Sequence, residues 1–290
     1  MYNASFARIA LRTVSKPPSY QHYQNGYFLM KEKFLGNTRT KLPEIGLGTW
    51  AYKAGVEPLR LGVSLGAYHI DTAEMYHTEN IVGKAIQDIR ANVFVSTKVS
   101  PEHLHYDDVI TAAKGSLSRL NIKTIDLYQV HWPNSRIPIK ETMKAMEYLV
   151  ERNMIRYIGV SNFSVDELKD AQAALSKNQI VSDQVEYNLQ NRSVEKELIP
   201  YCKSEKITVI AYSPLTRGQV THRKDSVLDQ LSVKYGKTRG QLSLNFLTRE
   251  DNVVAIPKSD TEDHTRENCA ASGWRLSADD IQLMSTHFVS

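Results

Sequence analysis

From residue 44 onward, apolar residues recur along the chain with two different periods. Short runs rich in Val, Ile and aromatic residues are typical of strands that are buried on both faces. These runs predict eight strands, over residues 44–50, 69–73, 93–98, 127–132, 157–162, 182–187, 208–213 and 253–258. The segments between them are longer and have helical periodicity, so the pattern predicts strands that alternate with helices.

Two of the intervening segments show a continuous apolar stripe. Residues 106–121 place Val109, Ala113 and Leu117 on one face of a helix. Residues 139–153 repeat this pattern with Met143, Met146 and Leu149. Both segments are long enough to cover a strand pair, so we expect each to pack against the sheet as a helix.

Local signals also predict where other helices begin and end. Ser164 is followed three residues later by Glu167, which is typical of a capping box at a helix N-terminus. Residues 226–250 form a long helical stretch. We expect Gly236 and Gly240 to divide it into two helices, because glycine is unfavourable inside a helix.

Strands that alternate with helices predict βαβ units and a parallel sheet. Eight such units in about 250 residues have the size of a TIM barrel, so the predicted fold is an α/β (β/α)8 barrel. An open, doubly wound sheet is the alternative, since Gly46 to Ala51 matches its G-x-G-x-x-A fingerprint. We interpret this match as a coincidence, because the next residues contain Pro58 rather than a helix that opens on the last glycine.

The N-terminal part of the chain differs from the rest. Residues 34–46 have the pattern of a β-hairpin that turns at Gly36, and we expect it to plug the floor of the barrel. Residues 32–290 contain no repeat or linker and are predicted to form a single domain. Residues 1–31 are expected to be a disordered extension, either resembling a transit peptide or preceding a start at Met30.

Charge and composition restrict the partners of the protein. The net charge of +4 arises within the first 31 residues, which hold four basic and no acidic residues. The neutral remainder argues against nucleic acid as a partner. Two cysteines without redox spacing favour a cytoplasmic protein, and the lack of an apolar run of roughly 18 residues argues against a membrane partner. A monomer or weak oligomer is expected. No metal is expected, because His69, His77 and Glu79 lack a ligand spacing.

Four ionisable side chains fall at three consecutive predicted strand ends. Asp71 lies in the second strand, and Tyr76 lies on the loop after it. Lys98 ends the third strand, and His131 lies at the end of the fourth. Because barrel enzymes act at the carboxyl ends of their strands, we expect these residues to meet. Lys98 should lower the pKa of Tyr76, and Asp71 should hold Lys98 in place. With His131 as a second hydrogen-bond donor, the set predicts proton delivery to a carbonyl oxygen.

Other interpretations of the same residues stay open at this point. Asp71 and Lys98 could form a structural ion pair, and His131 could be a hydrogen-bonded core histidine. Lys98 could instead form a Schiff base with a carbonyl substrate, as in class I aldolases, although a paired lysine is poorly suited to that role. A non-catalytic, cofactor-sensing subunit is a third possibility.

Ordered motifs along the chain resemble those of the aldo-keto reductases. They are GLGTW, HIDTAEMY, VFVSTKV, DLYQVHWP, IRYIGVSNF, DQVEYN, AYSPL and IPKS, and they cover residues 33 to about 288. The resemblance implies a (β/α)8 barrel that reduces aldehydes and ketones with NADPH or, in some members, NADH. It also implies that Asp71, Tyr76, Lys98 and His131 form the family's catalytic tetrad.

The resemblance assigns the later strand ends to the coenzyme, in agreement with the phosphate sites that barrels often have after strands seven and eight. It places Ser161, Asn162, Gln184 and Tyr212 at the nicotinamide, Ser213, Leu215 and Gly218 on the loop near the pyrophosphate, and Lys258, Ser259, His264, Glu267 and Asn268 at the adenosine. The same residues could also serve to cap the helices that follow.

One departure from the family pattern concerns the adenosine 2′-phosphate. Where many NADPH-using members carry Arg, this chain has His264, which offers a weaker donor. Arg266 lies two residues further on but points in another direction on a helix, and Asp260 places an anion beside the expected phosphate. We predict NADPH as the coenzyme because of Lys258 and Ser259, with use of NADH as the alternative.

The substrate pocket is expected to have aromatic walls. Trp50, Tyr52 and Trp132 lie near the predicted strand ends that carry the tetrad. The loop after His131 is short, which implies an open and permissive pocket for small carbonyl compounds, as in microbial-type members of the family. Arg136 lies on this loop and is interpreted as a solvated surface residue.

Overall fold

The computed structural model describes residues 29–289. The extension predicted over residues 1–31 therefore lies, apart from its last three residues, outside the described chain. The strands are β1 Glu32–Phe34, β2 Lys41–Pro43, β3 Leu47–Gly48, β4 His69–Asp71, β5 Phe94–Val99, β6 Ile125–Val130, β7 Ile155–Ser161, β8 Ile180–Glu186, β9 Thr208–Tyr212 and β10 Val253–Ala255. The α-helices are α1 Glu57–Ser64, α2 Glu79–Ile86, α3 Tyr106–Leu120, α4 Ile139–Glu151, α5 Val165–Ala173, α6 Leu198–Ser204, α7 Gln219–His222, α8 Ser226–Tyr235, α9 Arg239–Leu247, α10 Glu262–Cys269 and α11 Ala278–His287. Within residues 29–289, no helix is both long and apolar enough to cross a membrane.

Strands β3 to β10 form one parallel sheet whose spatial order follows the chain. The first and last strands meet, because the amide of Gly46 donates to the carbonyl of Ala255 at 2.8 Å. The amide of Gly48 likewise donates to the carbonyl of Pro257 at 3.1 Å. The sheet is therefore a closed barrel, which confirms the predicted (β/α)8 fold. The open, doubly wound alternative is wrong, because the edges of such a sheet stay apart.

A short hairpin closes the end of the barrel where the strands begin. Strands β1 and β2 pair in antiparallel fashion, and Gly36 turns the chain between them with a φ of +53°. Leu35 and Leu42 of the hairpin are fully buried and share an apolar cluster with Leu127 and Val254 of the barrel. The predicted hairpin plug is confirmed, and it seals the barrel with apolar side chains.

The helices confirm most of the local predictions. Helices α3 and α4 occupy the two segments with an apolar stripe. At α5, Ser164 Oγ accepts from the amide of Glu167, and the Glu167 carboxylate accepts from the amide of Ser164 in return. Gly236 ends α8 in the left-handed conformation, as predicted. Gly240 does not end a helix: it lies inside α9, where a Cβ would meet its neighbours only at ordinary contact distances of 3.4 Å or more.

Candidate active site

The polar side chains predicted to meet do lie together at the carboxyl end of the barrel. Asp71 ends β4, and Tyr76 lies in the single 3-10 turn that follows it at Glu74–Tyr76. Lys98 is the penultimate residue of β5, and His131 follows β6 directly. A cavity of about 790 Å³ opens at this end, and Asp71, Tyr76 and His131 contribute to its lining.

Asp71 and Lys98 form a buried ion pair beneath the cavity. Lys98 Nζ donates to Asp71 Oδ1 at 2.5 Å and to the carbonyl of Thr72 at 2.8 Å. The lysine side chain is inaccessible to solvent. Burial by itself would lower the pKa of Lys98, but the charges of Asp71 and Tyr76 outweigh it and raise the pKa. The amine is therefore held as an ammonium ion in the interior of the barrel.

Tyr76 lies directly above this ammonium. Lys98 Nζ is 4.9 Å from the centre of the Tyr76 ring. Burial raises the pKa of the Tyr76 phenol, and the lowering effect of Lys98 offsets only part of that rise. Lys98 does lower the pKa of Tyr76, but the prediction omitted the larger cost of burying a phenolate, which leaves this pKa above its ordinary value.

His131 faces the hydroxyl group of Tyr76. Its Nε2 lies 3.4 Å from the Tyr76 oxygen, and the two rings meet edge to face. Burial, followed by the charge of Lys98, lowers the pKa of His131 to about 4, so the imidazole is neutral. Nδ1 has no hydrogen-bond partner among residues 29–289. An orphan acceptor is tolerated better than an orphan donor, which favours the proton on Nε2.

Three residues bind one carboxylate oxygen of Asp71, and two of them, Ser96 and Gln129, were not singled out from the sequence. Ser96, Gln129 and Gln184 all direct a polar hydrogen at Asp71 Oδ2, at 2.7, 3.4 and 2.9 Å respectively. Gln184 had been assigned to the coenzyme alone. The alternation of side chains along a strand could have identified Ser96. It lies two residues before Lys98, so both side chains face the interior of the barrel.

The turn that carries Tyr76 is also anchored by a side chain that the sequence argument missed. Glu74 opens the turn, and its carboxylate accepts from the amide of Ser100 and contacts His103 Nδ1, each at 3.0 Å. Ser100 and His103 follow β5, the strand of Lys98. Glu74 thus ties the segment that carries Tyr76 to the segment that carries Lys98.

Most of the residues assigned to the coenzyme line the same cavity. They are Ser161, Asn162, Gln184, Tyr212, Ser213, Leu215, Gly218, Lys258, His264, Glu267 and Asn268. Asn162 connects this row to the polar cluster, since its Nδ2 donates to the carbonyl of His131 and its Oδ1 accepts from the Tyr212 hydroxyl, each at 3.0 Å. The row extends from the tetrad across the later strand ends.

Two residues near the adenosine end lie outside the cavity lining. Ser259 is not among the residues that line the cavity. Its hydroxyl donates to the carbonyl of Thr261 at 2.7 Å and so shapes the turn before α10. Arg266 also lies outside the lining and faces Glu262 on the exposed side of α10, 3.9 Å away, so it does not replace the missing arginine.

Lys258 lines the cavity but is already paired. Its Nζ donates to Asp260 Oδ2 at 2.5 Å. The second oxygen of Asp260 accepts from the amide of Lys53 at 3.0 Å, on the loop after β3. The carboxylate thus holds the lysine in a fixed position and neutralises part of its charge.

The mouth of the cavity is aromatic, but only two of the three aromatic residues predicted to line it do so. Trp50 and Trp132 line it and are 50% and 46% exposed. Arg217, from the loop after β9, lies over the Trp50 ring at 5.0 Å. Tyr52 is a core residue instead: it is buried, and its hydroxyl donates to the carbonyl of Gly55 at 2.8 Å. Tyr52 is not among the residues that line the cavity, and its hydroxyl has its partner within the same loop.

Comparison with known proteins gives consistent matches to one family. The model of the aldo/keto reductase family matches residues 44–287. Methylglyoxal reductase YeaE of Escherichia coli (strain K12) is 34% identical over 256 residues, which cover 84% of this chain and 90% of the relative.

Two solved structures share the fold over nearly their whole length. A thermostable aldo-keto reductase, Tm1743, in complex with the inhibitor epalrestat has a TM-score of 0.84 and 39% identity, over 89% of this chain and 99% of that one. An aldo-keto reductase from Klebsiella pneumoniae in complex with NADPH has a TM-score of 0.84 and 32% identity, over 90% and 96%. The family match, the full-length similarity and the barrel agree: this chain belongs to the aldo/keto reductase family.

Proposed function

We propose that this enzyme reduces small aldehydes and ketones, with α-oxoaldehydes such as methylglyoxal as the first candidates, and that NADPH is its coenzyme. The observation that carries the proposal is the cluster of Asp71, Lys98, Tyr76 and His131 at one end of a single cavity. The substrate class follows from the E. coli relative, which is a methylglyoxal reductase. The coenzyme follows from the Klebsiella relative, which was solved with NADPH.

The chemistry of the cavity fits a dinucleotide. Gln184 uses its amide N–H on Asp71, so its amide oxygen is left to accept from a carboxamide. Tyr212 offers an aromatic ring beside it, and Lys258 offers a cation at the far end of the row. A volume of about 790 Å³ is in the range of small-molecule and cofactor sites. When bound, the reduced nicotinamide supplies a hydride to the carbonyl carbon.

Tyr76 is the proposed proton donor. Its raised pKa keeps the phenol protonated at neutral pH, so a proton is available for the carbonyl oxygen of the substrate. The ammonium of Lys98, 4.9 Å from the ring, stabilises the phenolate that remains after transfer. Because the ion pair with Asp71 fixes Lys98, this stabilisation is present before the substrate arrives.

His131 is proposed to orient the substrate. A neutral imidazole with its proton on Nε2 can donate to the same carbonyl oxygen that Tyr76 faces. Two donors that converge on one oxygen fix its position and polarise the C=O bond. An imidazolium would compete with Tyr76 as the acid, and the lowered pKa of His131 avoids this.

The structure does not favour the aldolase alternative. A Schiff base requires an unprotonated amine that can reach the substrate. Lys98 Nζ is fully buried, donates to the Asp71 carboxylate and to the Thr72 carbonyl, and has a raised pKa. The cavity lining includes Tyr76 and His131 but not Lys98.

Replacement of Tyr76 by Phe tests the proposal. We expect kcat for NADPH-dependent reduction of methylglyoxal to fall by a factor of about 10² or more, because the proton donor is lost. The Kd for NADPH, measured by fluorescence titration, should stay within about twofold, because the phenol is not among the proposed coenzyme contacts.

Tyr157→Phe is the matched control. Its hydroxyl contacts Thr40 in the hairpin at the opposite end of the barrel, at 2.7 Å. This variant should keep the wild-type kcat. Full activity of Y76F would refute the assignment of the acid, and a wild-type protein that binds neither NADPH nor NADH would refute the proposed function itself.

A further inference from the structure

Ser96 lies at the centre of a buried hydrogen-bond chain that leads to the ion pair. Its hydroxyl donates to Asp71 Oδ2 at 2.7 Å and contacts His69 Nε2 at 2.8 Å. All three residues are at most 1% exposed. The chain therefore runs through the barrel interior from His69 to Asp71, which lines the cavity and belongs to the ion pair.

The direction of each hydrogen bond in this chain follows from chemistry. The Asp71 carboxylate can only accept, so the single hydroxyl hydrogen of Ser96 must point toward it. Ser96 Oγ then has only lone pairs left for His69, so His69 Nε2 must carry a hydrogen and donate. Burial lowers the pKa of His69 to about 4, so the neutral ring has one N–H, and this contact assigns it to Nε2.

The other side of the His69 ring has no competing partner. Nδ1 makes no hydrogen bond within the described part of the chain. A side chain at Gly46 would place its Cβ 3.1 Å from this nitrogen, so the glycine makes room for the ring. The ring is thereby held with Nε2 toward Ser96 and Nδ1 toward the backbone of β3.

We propose that Ser96, oriented by His69, is a positioning residue that holds Asp71 Oδ2 so that Oδ1 keeps Lys98 beneath Tyr76. This inference rests on the proposed function, since it assumes that Tyr76 is the acid. The positive end of the Ser96 hydroxyl dipole also offsets part of the charge on Asp71. Without it, the site becomes more negative and the phenolate of Tyr76 is less stable.

The groups that face Asp71 come from four segments. Lys98 lies on β5, His69 on β4, Tyr76 on the turn after β4, and His131 after β6. His69 and His131 are both neutral at physiological pH, since burial lowers the pKa of each to about 4. A shift in the alkaline limb of the pH profile would therefore report on Tyr76 and Lys98, whose pKa values are both raised, rather than on the histidines.

Ser96→Ala is the test, with Ser182→Ala as the matched control. Ser182 is a buried serine on β8 whose hydroxyl makes no hydrogen bond within residues 29–289. In S96A we expect kcat to fall about tenfold, which is the usual effect of removing a residue that orients a functional side chain through a hydrogen bond. The KM for methylglyoxal and the Kd for NADPH should change little. The alkaline limb of the kcat profile should move to higher pH. Ser96→Thr, which keeps the hydroxyl, should restore both properties.

Several results would overturn the inference. An unshifted alkaline limb in S96A, or an equal loss of kcat in S182A, would mean that Ser96 does not act through Asp71. If S96A fails to fold, His69→Leu is the alternative variant, because it leaves Ser96 in place. We expect H69L to shift the alkaline limb in the same direction by a smaller amount. An unshifted limb in H69L would likewise mean that Ser96 does not act through Asp71. If the wild type lacks NADPH-dependent reduction, the proposed function fails instead, and this distinguishes the two.

Discussion

Asp260 limits the ability of Lys258 to bind a phosphate group. Lys258 is the cation at the proposed adenosine end, yet its ammonium is bound to Asp260 at 2.5 Å. His264 and Lys258 line the cavity there, whereas Arg266 does not. A phosphate group at this end would have to share Lys258 with a carboxylate, which weakens the preference for a phosphorylated coenzyme.

Asp260→Asn should therefore strengthen binding of NADPH selectively. We expect its Kd to fall about three- to fivefold, the range of a single exposed charge interaction, while the Kd for NADH stays unchanged. Asparagine keeps an oxygen that can accept from the amide of Lys53. Fluorescence titrations with both coenzymes provide the measurement. Asp263→Asn, which removes an exposed charge from the first turn of α10, is the control; an equal change for NADPH and NADH in D260N would contradict the argument.

The sequence predicted individual residues well where the chain direction decides their position. Asp71, Lys98 and His131 lie at the carboxyl ends of strands that run parallel, so their meeting at one end follows from topology alone. The sequence-based prediction failed for side chains whose positions depend on a local hydrogen bond. Tyr52 donates to the carbonyl of Gly55, and Ser259 donates to that of Thr261, and neither choice has a periodic signal.

Helices α2 and α3 show what a single missing side chain does at the scale of an element. Gly83 of α2 lies against the last turn of α3, and a Cβ there would be 2.5 Å from the carbonyl oxygen of Leu120. The obstacle is backbone, which cannot move without shifting the helix. Gly115 of α3 differs, because its Cβ would meet only the flexible end of Arg119.

Gly83→Ala and Gly115→Ala should therefore change stability in opposite directions. We expect G83A to lower the free energy of unfolding by about 1–3 kcal/mol through overpacking. G115A should raise it by about 0.5–1 kcal/mol, because alanine is the better helix former. Urea unfolding of both variants provides the measurement. A stabilised G83A would mean that α2 and α3 can separate at little cost.

The elements themselves were predictable because their periods are distinct. All eight barrel strands and the striped helices α3 and α4 lie where the pattern of apolar residues indicates. Boundaries were less certain: the last strand was predicted over residues 253–258, but β10 ends at Ala255. Gly240 was wrongly expected to break a helix, since the Thr238 and Gln241 capping box begins α9 just before it.

At the scale of the whole molecule, a buried acid makes stability depend on pH. Asp183 of β8 is fully buried, and neither oxygen of its carboxyl group makes a hydrogen bond within the described chain. Burial raises its pKa from 3.8 to about 8, and the nearby backbone of Phe163 offsets only part of this rise. The folded state binds the proton more tightly, so the stability from this group is complete below pH 4 and is lost as the pH rises through 8.

Asp183→Asn should remove this dependence, because the amide stays neutral at every pH. We expect the difference in free energy of unfolding between D183N and the wild type to increase in favour of D183N by about 2 kcal/mol or more between pH 5 and pH 8. Urea unfolding at several pH values measures it. Asp166→Asn, at an exposed position of α5, is the control and should show a constant difference. A constant difference in D183N as well would show that Asp183 is already ionised in the folded protein.

The closure of the barrel has a further consequence. Strands β3 and β10 are two and three residues long, so few backbone bonds, among them those of the Gly46 and Gly48 amides, hold the first strand to the last. Such a seam is where transient opening and amide hydrogen exchange should begin. Trp50 lies just beyond one side of it and Lys258 just beyond the other, and both line the cavity. A ligand that contacts both residues would hold the two strands together. Ligand binding should then stabilise the closed barrel, and opening of the seam should in turn release the ligand.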